Sequence, residues 1–242
     1  MSDRPPAGEE LPESSDKVTY HGYLELSAIL DAQHPLAPPE LGSQVNAAEH
    51  FFIVVHQAFE LWFKQELLDL RCATEALAPS NDDPELALDH LQRVAAIQRL
   101  LTQQMVLFDH LSPRSFLAFR PYLGQASGSE SKQYREVERA LGLRGSGGSP
   151  SYAAFSAALD RAGFSLETLY QNPSRGGVLY RLAELLVDIS EGFWLLTAAH
   201  VRIAERTIGQ KPGTGGTSGV EYLARALESK AFPELWDVRT RL

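Results

Sequence analysis

Two histidines stand within strongly apolar helical patterns of this 242-residue chain. His56 lies in the stretch "FIVVHQAFELWFKQELLDL", and His200 follows "LLTAA" in a second apolar pattern. A neutral imidazole on a rigid helix is a common ligand of haem iron. A single histidine in such a place is also typical of a core residue whose ring is satisfied by a hydrogen bond. Both interpretations stay open on these residues alone.

The neighbours of each histidine bear on the choice. Phe52, His56 and Glu60 share one helix face, because they are spaced four residues apart. Glu60 is an acceptor within reach of the imidazole, which favours a packing role, whereas the aromatic neighbour favours a pocket wall. The two alanines before His200 are small and leave room for a flat macrocycle. Two such histidines in a helical protein make haem a hypothesis.

Other kinds of active site are excluded by spacing or by residue type. The glycine-rich stretch 209–219 lacks the Gly-Lys-Ser/Thr ending of a P-loop and the spacing of a dinucleotide-binding loop. It is interpreted either as a flexible connection or as a binding loop. No glutamate stands three residues before a histidine, as a di-iron carboxylate bundle requires. The single cysteine, Cys72, excludes a disulfide framework and a multi-cysteine zinc site.

Charge and hydropathy narrow the range of partners. The net charge of -9 argues against binding to a phosphate backbone, so no nucleic-acid partner is expected. No apolar run is long enough to cross a bilayer, and residues 1–17 lack the apolar core of a signal peptide. We therefore expect a cytoplasmic protein with no membrane partner and a disordered amino-terminal tail at residues 1–17.

Apolar residues recur at spacings of three and four along the chain, and no segment shows the alternation of a strand. The pattern predicts helices at 20–32, 46–77 (with Asn46 as the N-cap), 88–108, 151–169, 176–209 and 221–229, two short helices within 111–141, and a linker at 142–151. The expected fold is all-α, with residues 18–242 forming a single-domain helical bundle.

Four segments resemble, in the same order, the tryptophan 2,3-dioxygenase family. They are "YHGYLEL", "FFIVVHQAFELWFKQELLDL", "FLAFRPYLGQASGSESKQYREVE" and "HVRIAERTIGQKPGTGGTSGVEYL". The resemblance implies that the bundle binds haem b between its helices, with ferrous iron in the active form. His200 would be the proximal iron ligand, and His56 the catalytic distal histidine that hydrogen-bonds the indole N–H of the substrate.

The resemblance also implies a set of substrate-binding residues. They are Phe52 and Phe116 in the wall of the indole pocket, Arg120 at the substrate carboxylate, Ser127 near the distal pocket, and Thr214 at the charged end of the amino acid. Members of the family are homotetramers, in which Tyr20, Tyr23 and Leu24 would reach into the pocket of a neighbouring subunit. The glycine-rich loop around Thr214 would close over the bound substrate.

The implied reaction inserts both atoms of dioxygen across the indole C2–C3 bond of L-tryptophan and gives N-formylkynurenine. Some residues depart from the family pattern. The family has Phe-Gln-Ser after Ala-Ser-Gly, where this chain has "SES" beginning at Ser129, and it has Trp-Arg-x-x-His where this chain has "LTAAH" ending at His200. Arg120 precedes Pro121, which biases its backbone away from helical geometry. The chain is also shorter than the family near residues 142–151.

These departures motivate alternatives to the oxidation of tryptophan itself. The smaller Ser129 suggests a pocket that accepts a closely related substituted tryptophan. A monooxygenase that inserts one oxygen into the indole, giving a 2-oxindole or hydroxyindole in a biosynthetic pathway, is a second alternative. A non-catalytic haem sensor is a third, and the presence of His56, Arg120 and Thr214 together argues against it.

Overall fold

Helices joined by short turns make up the part of the chain that the computed structural model describes, which is residues 18–213 and 218–242, with the backbone alone at Ser129 and Tyr222. Every regular element within that part is helical, which confirms the predicted all-α class. The α-helices are α1 Tyr20–Tyr23, α2 Leu26–Leu30, α3 Ser43–Ala76, α4 Pro84–Gln104, α5 Pro113–Phe119, α6 Lys132–Ala140, α7 Pro150–Arg161, α8 Leu166–Gln171, α9 Pro173–Gly176, α10 Val178–Ile208, α11 Val220–Arg225 and α12 Pro233–Arg241. Short 3₁₀ turns span Pro39–Leu41, Met105–His110, Arg120–Leu123, Gly128–Glu130 and Ala226–Glu228.

The described chain as far as His34 belongs to one unit, and Pro35–Leu242 forms a second. In the first unit the predicted helix at 20–32 is divided into α1 and α2. The division falls at Glu25, whose φ of 51° lies in the left-handed region and interrupts the helical backbone. The predicted tail at residues 1–17 lies outside the described residues.

In the second unit α4 packs along both α3 and α10, and these three helices supply much of the core. The buried side chains of α4 recur at intervals of three and four residues, as at Leu88, Leu91 and Val94. Each fully buried leucine contributes about 1.5–3 kcal/mol relative to an exposed one. The apolar stripe that predicts this helix is therefore the stripe that holds it between its neighbours.

Glycines set the ends of the two longest helices. α3 begins at Ser43. The prediction of Asn46 as the N-cap is therefore wrong, and Asn46 lies inside the helix. Gly42, with a φ of 94°, turns the chain into the helix four residues before the predicted N-cap. α10 ends at the predicted position, because Gly209 takes a φ of 56°.

α4 ends sooner than its apolar stripe predicts. The side chain of Asp83 accepts a hydrogen bond of 3.0 Å from the N–H of Leu86 and starts the helix. The α-helix stops at Gln104, and the tighter 3₁₀ turn Met105–His110 follows. This change of pitch moves Phe108 off the line of the stripe.

The carboxyl-terminal third contains more helices than the sequence predicts. The patch at 151–169 is two helices, α7 and α8, separated at Gly163, whose φ is 75°. The last helix, α12, is not predicted, although Leu235 and Val238 are buried at helical spacing. No helix in the described part of the chain is both long enough and apolar enough to pass through a bilayer.

Candidate active site

His56 stands on α3 in one defined tautomer. Its Nδ1 lies 2.7 Å from the carbonyl oxygen of Phe52. Because a carbonyl oxygen only accepts, Nδ1 carries the proton and donates it. Nε2 of the neutral ring is then left as an acceptor. The packing alternative, in which Glu60 takes this N–H, is not what the structure has.

The ring of His56 is neutral near pH 7. Burial by surrounding atoms lowers the pKa of His56, while the hydrogen bond to Phe52 and the charge of Glu60 oppose that shift. The residue nevertheless keeps solvent-accessible surface. A side chain that is packed by its neighbours but still accessible to solvent is typical of the wall of a recess.

Aromatic rings surround this histidine. The ring centroid of Phe52 lies 4.1 Å from that of His56, and Phe108 meets His56 edge-on at 5.4 Å. Phe116 contacts Phe52 at 5.7 Å, so the structure brings together both aromatic residues predicted for the wall. The fully buried Phe119 packs behind them, 5.2 Å from Phe116.

Phe108 is a wall residue that the sequence does not predict. In the sequence it continues the apolar stripe of α4 at a spacing of three from Met105, so it resembles one more core position. Its place beside His56 depends on the 3₁₀ turn, for which the sequence carries no clear signal.

His200 lies half-buried on α10. Burial, followed by the charge that His56 would carry, lowers the pKa of His200 to about 4. That electrostatic effect requires the two imidazoles to be near one another. Within the part of the chain that the structure describes, the His200 ring has no hydrogen-bond partner.

These residues fit a haem. A non-haem iron oxygenase commonly holds its iron with two histidines and a carboxylate of the protein. The described residues contain no group of three or more His, Cys, Asp or Glu side chains arranged to hold a metal ion. A single neutral imidazole without a hydrogen-bond partner, close enough to His56 to feel its charge, suits an iron whose other ligands come from a macrocycle, and His200 is the residue that would bind it.

Arg120 closes α5 with helical backbone angles, φ −48° and ψ −39°. The expectation that Pro121 moves this residue away from helical geometry is therefore wrong. Pro121 takes an early position in the following 3₁₀ turn, where its missing N–H is not needed. The guanidinium of Arg120 donates a hydrogen bond to the carbonyl oxygen of Pro212. It thus reaches the segment that follows α10.

The glycine-rich loop begins and ends at adjacent points. At Gly219, whose φ is 69°, an added Cβ would lie 2.6 Å from the carbonyl oxygen of Lys211. Only glycine allows this close approach. Thr214 lies outside the described residues. Because Arg120 contacts Pro212, two positions before Thr214, the described ends of the loop are held beside the predicted carboxylate-binding arginine.

Other predicted site residues are not tested by these contacts. Ser127 is half-buried, and its N–H donates a hydrogen bond of 3.1 Å to the carboxylate of Glu130. Tyr20 and Tyr23 are 78% and 76% exposed, and Leu24 is 36% exposed. All three belong to the first unit, and their placement in a pocket of another subunit stays a prediction.

Two clefts lie apart from these residues. The larger, of about 400 Å³, is bordered by α3, α6 and α7 at Lys64, Arg71 and Ser151. The smaller, of about 280 Å³, is lined by residues that include Phe51 and Ser115. Neither has His56, His200 or Arg120 in its wall, so the chemistry of the histidines, not cleft volume, identifies the candidate site.

Comparison with known proteins agrees with this geometry. The profile of the tryptophan 2,3-dioxygenase family matches residues 6–160 and 151–242. The two matched segments overlap at residues 151–160, directly after the loop at 142–151 where the sequence predicts a shortening.

Individual relatives are similar along nearly the whole chain. The tryptophan 2,3-dioxygenase of Kineococcus radiotolerans is 38% identical over 93% of this chain and 92% of its own length. That of Paraburkholderia phytofirmans is 36% identical over 94% of this chain and 86% of its own. That of Pseudomonas fluorescens is 35% identical over all of this chain and 98% of its own. The chain therefore belongs to the tryptophan 2,3-dioxygenase family of haem-dependent oxidoreductases.

Proposed function

We propose that this enzyme binds haem b through His200 and inserts both atoms of dioxygen across the indole C2–C3 bond of L-tryptophan or a closely related substituted tryptophan, giving an N-formylkynurenine-type product. The observation that carries the proposal is the neutral His56, with Nδ1 bound to the Phe52 carbonyl and Nε2 left free, near a neutral His200. When bound, haem in its ferrous form supplies the activation of dioxygen.

His56 orients the indole. Its free Nε2 accepts a hydrogen bond from the indole N–H, because the proton on Nδ1 is already committed to the Phe52 carbonyl. A protonated ring has two donors and no acceptor, so the lowered pKa of His56 keeps it competent at neutral pH. As the ring opens, Nε2 is also the atom placed to hold the indole proton.

The aromatic wall supplies shape and excludes water. Phe52, Phe108 and Phe116 present apolar faces and edges to a flat bicyclic ring, which is the kind of lining that an indole pocket needs. Arg120 holds the substrate carboxylate with its planar, bidentate guanidinium. The apolar wall and the single arginine together favour an amino acid with an aromatic side chain.

The remaining site residues belong to the same proposal. Thr214 contacts the charged end of the substrate from the glycine-rich loop, and Ser127 lies near the distal pocket. In a homotetramer, Tyr20, Tyr23 and Leu24 reach the pocket of a neighbouring subunit, and their exposure leaves them available for it. Residues 18–242 act as one haem-binding oxygenase domain of a cytoplasmic enzyme, preceded by a tail at 1–17.

Labelled dioxygen tests the reaction. The haem-loaded, reduced enzyme is incubated with L-tryptophan under ¹⁸O₂, and the product is analysed by mass spectrometry. Two labelled atoms in one product molecule support ring opening by a dioxygenase. One labelled atom contradicts it and indicates the monooxygenase. If L-tryptophan gives no product, a series of ring- and side-chain-substituted tryptophans tests the wider substrate range. If the enzyme converts none of these compounds, the proposal is contradicted.

A further inference from the structure

One carboxylate, Asp109, holds two arginines of α10. The two terminal nitrogens of Arg202 lie 3.1 and 3.2 Å from the two carboxylate oxygens of Asp109. Arg206, one helical turn later, lies 3.3 Å from Oδ1 of the same carboxylate. Asp109 belongs to the 3₁₀ turn Met105–His110, so these contacts join that turn to the last turns of α10.

The two ends of this ion-pair cluster adjoin the candidate site. Arg202 is two residues after His200 on the same helix. Phe108 immediately precedes Asp109 and meets the ring of His56 edge-on at 5.4 Å. The cluster is therefore a direct connection between the helix that carries the iron ligand and the aromatic residue that borders the distal histidine.

Stability is not a sufficient reason for such a cluster. The side chains of Arg202 and Arg206 are 50% and 60% exposed, and exposed ion pairs contribute little to the free energy of folding. Control over the position of the site residues is a stronger reason for the cluster, because displacement of a catalytic group by about 1 Å can lower the rate on the order of a hundred-fold.

We propose that Asp109 is a positioning residue that, by holding Arg202 and Arg206, fixes Phe108 against the imidazole of His56. Its effect on turnover rests on the proposed function, since it acts through His56 and the substrate pocket. Its effect on the position of Phe108 relative to His56 does not depend on haem.

The test compares Asp109→Asn, which removes the charge, with Asp109→Glu, which keeps it. Arg202→Gln breaks the same contacts from the other side and serves if Asp109→Asn does not fold. Asp82→Asn is the matched control, because Arg161 donates two hydrogen bonds to Asp82 in a separate surface pair. Asp82 has a φ of 44°, a conformation that asparagine tolerates, so this control changes only the ion pair.

The first measurement uses the full chain before haem is added, with its seven histidines isotopically labelled in the ring. The edge-on ring of Phe108 shifts the NMR signals of His56, which are assigned by their loss in His56→Gln. We expect Asp109→Asn and Arg202→Gln to shift these signals. In Asp109→Glu, which keeps the charge, the signals should lie close to their wild-type positions, and in Asp82→Asn they should be unchanged. His90, which bonds Asp69 on α3, is the internal reference.

The second measurement uses the haem-loaded enzyme and its ferrous carbon monoxide complex. Displacement of Phe108 changes the surroundings of His56, so we expect a shifted or split C–O stretching band and a fall in kcat on the order of ten-fold or more. His56 signals that are identical in wild type and Asp109→Asn overturn the proposal, whether or not haem binds. A wild-type chain that takes up no haem overturns the proposed function instead, and the His56 signals still decide the role of Asp109.

Discussion

Gln98 of α4 donates a hydrogen bond of 2.8 Å from Nε2 to Oε1 of Glu66 on α3, and neither residue has any solvent exposure. The other two polar atoms of the pair, Oε2 of Glu66 and Oε1 of Gln98, have no partner. Burial raises the pKa of Glu66 to about 8. Glu66 therefore carries a proton in the folded enzyme at neutral pH, and the core is spared a buried negative charge.

The first prediction concerns the pH dependence of stability. The folded pKa of Glu66, about 8, is above its ordinary value of 4.5, so its stabilising effect is complete below 4.5 and is lost as pH rises through 8. At pH 7 the loss is on the order of 3 kcal/mol. Glu66→Gln supplies an N–H in place of the proton. Its free energy of unfolding in urea should match wild type near pH 5 and exceed it near pH 8. A difference that does not change with pH contradicts the protonated pair.

Gly192 of α10 makes room for this pair. A Cβ at position 192 would lie 2.8 Å from Oε1 of Gln98. Gly192→Ala should therefore displace the amide, weaken its bond to Glu66 and destabilise the fold by about 1–3 kcal/mol, despite the better helix propensity of alanine. Gly147→Ala, where an added Cβ has no atom within 4 Å, is the control. Equal unfolding free energies for the two variants would show that Gln98 has space to move.

Arg120 should contribute chiefly to recognition of the carboxylate. Arg120→Lys keeps the charge but loses the bidentate fork, so we expect KM for L-tryptophan to rise roughly ten- to hundred-fold with an unchanged haem spectrum. Tryptamine, which has no carboxylate, gives the sharper comparison. The preference for tryptophan over tryptamine should shrink in Arg120→Lys and persist in Arg114→Lys, an exposed position on α5, the helix that Arg120 caps. An undiminished preference in Arg120→Lys would place the carboxylate elsewhere.

His56 should give the enzyme an acid limb in its pH profile. Because the pKa of His56 is lowered, kcat/KM should stay level through neutral pH and fall only where the ring gains a second proton, below the ordinary histidine pKa. In His56→Gln this limb should disappear. The variant should also lose the preference for L-tryptophan over its indole N-methyl derivative. If His56→Gln keeps both the limb and the preference, another group binds the indole N–H.

Much of this architecture is predictable from local sequence. The stripes of α3, α4 and α10 repeat at three and four residues, and Gly209 ends α10 where the pattern stops. The expectation that His56, His200 and Arg120 share one site rests on resemblance to the family, because spacing along the chain does not show which distant residues meet.

What could not be predicted depends on tertiary packing. The contact of Asp109 with Arg202 joins positions 93 residues apart, and each residue alone resembles an ordinary surface charge. Glu66 sits among hydrophobic residues of α3, but its partner Gln98 is on another helix, and only the packed core makes them a pair.

Haem titration shows which residue binds the iron. Haem is added to wild type, His200→Gly and His50→Gly, and binding is followed by the Soret absorption. His50 is an exposed residue of α3, so its variant has the same cost of glycine within a helix. Loss of a supporting contact at a metal site weakens binding by up to about a hundred-fold, and loss of the ligand itself should cost at least as much. We expect that, of the two variants, His200→Gly alone loses haem affinity to this extent, and that added imidazole restores its wild-type spectrum. Wild-type affinity and spectrum in His200→Gly without imidazole would contradict the assignment of His200 as the iron ligand.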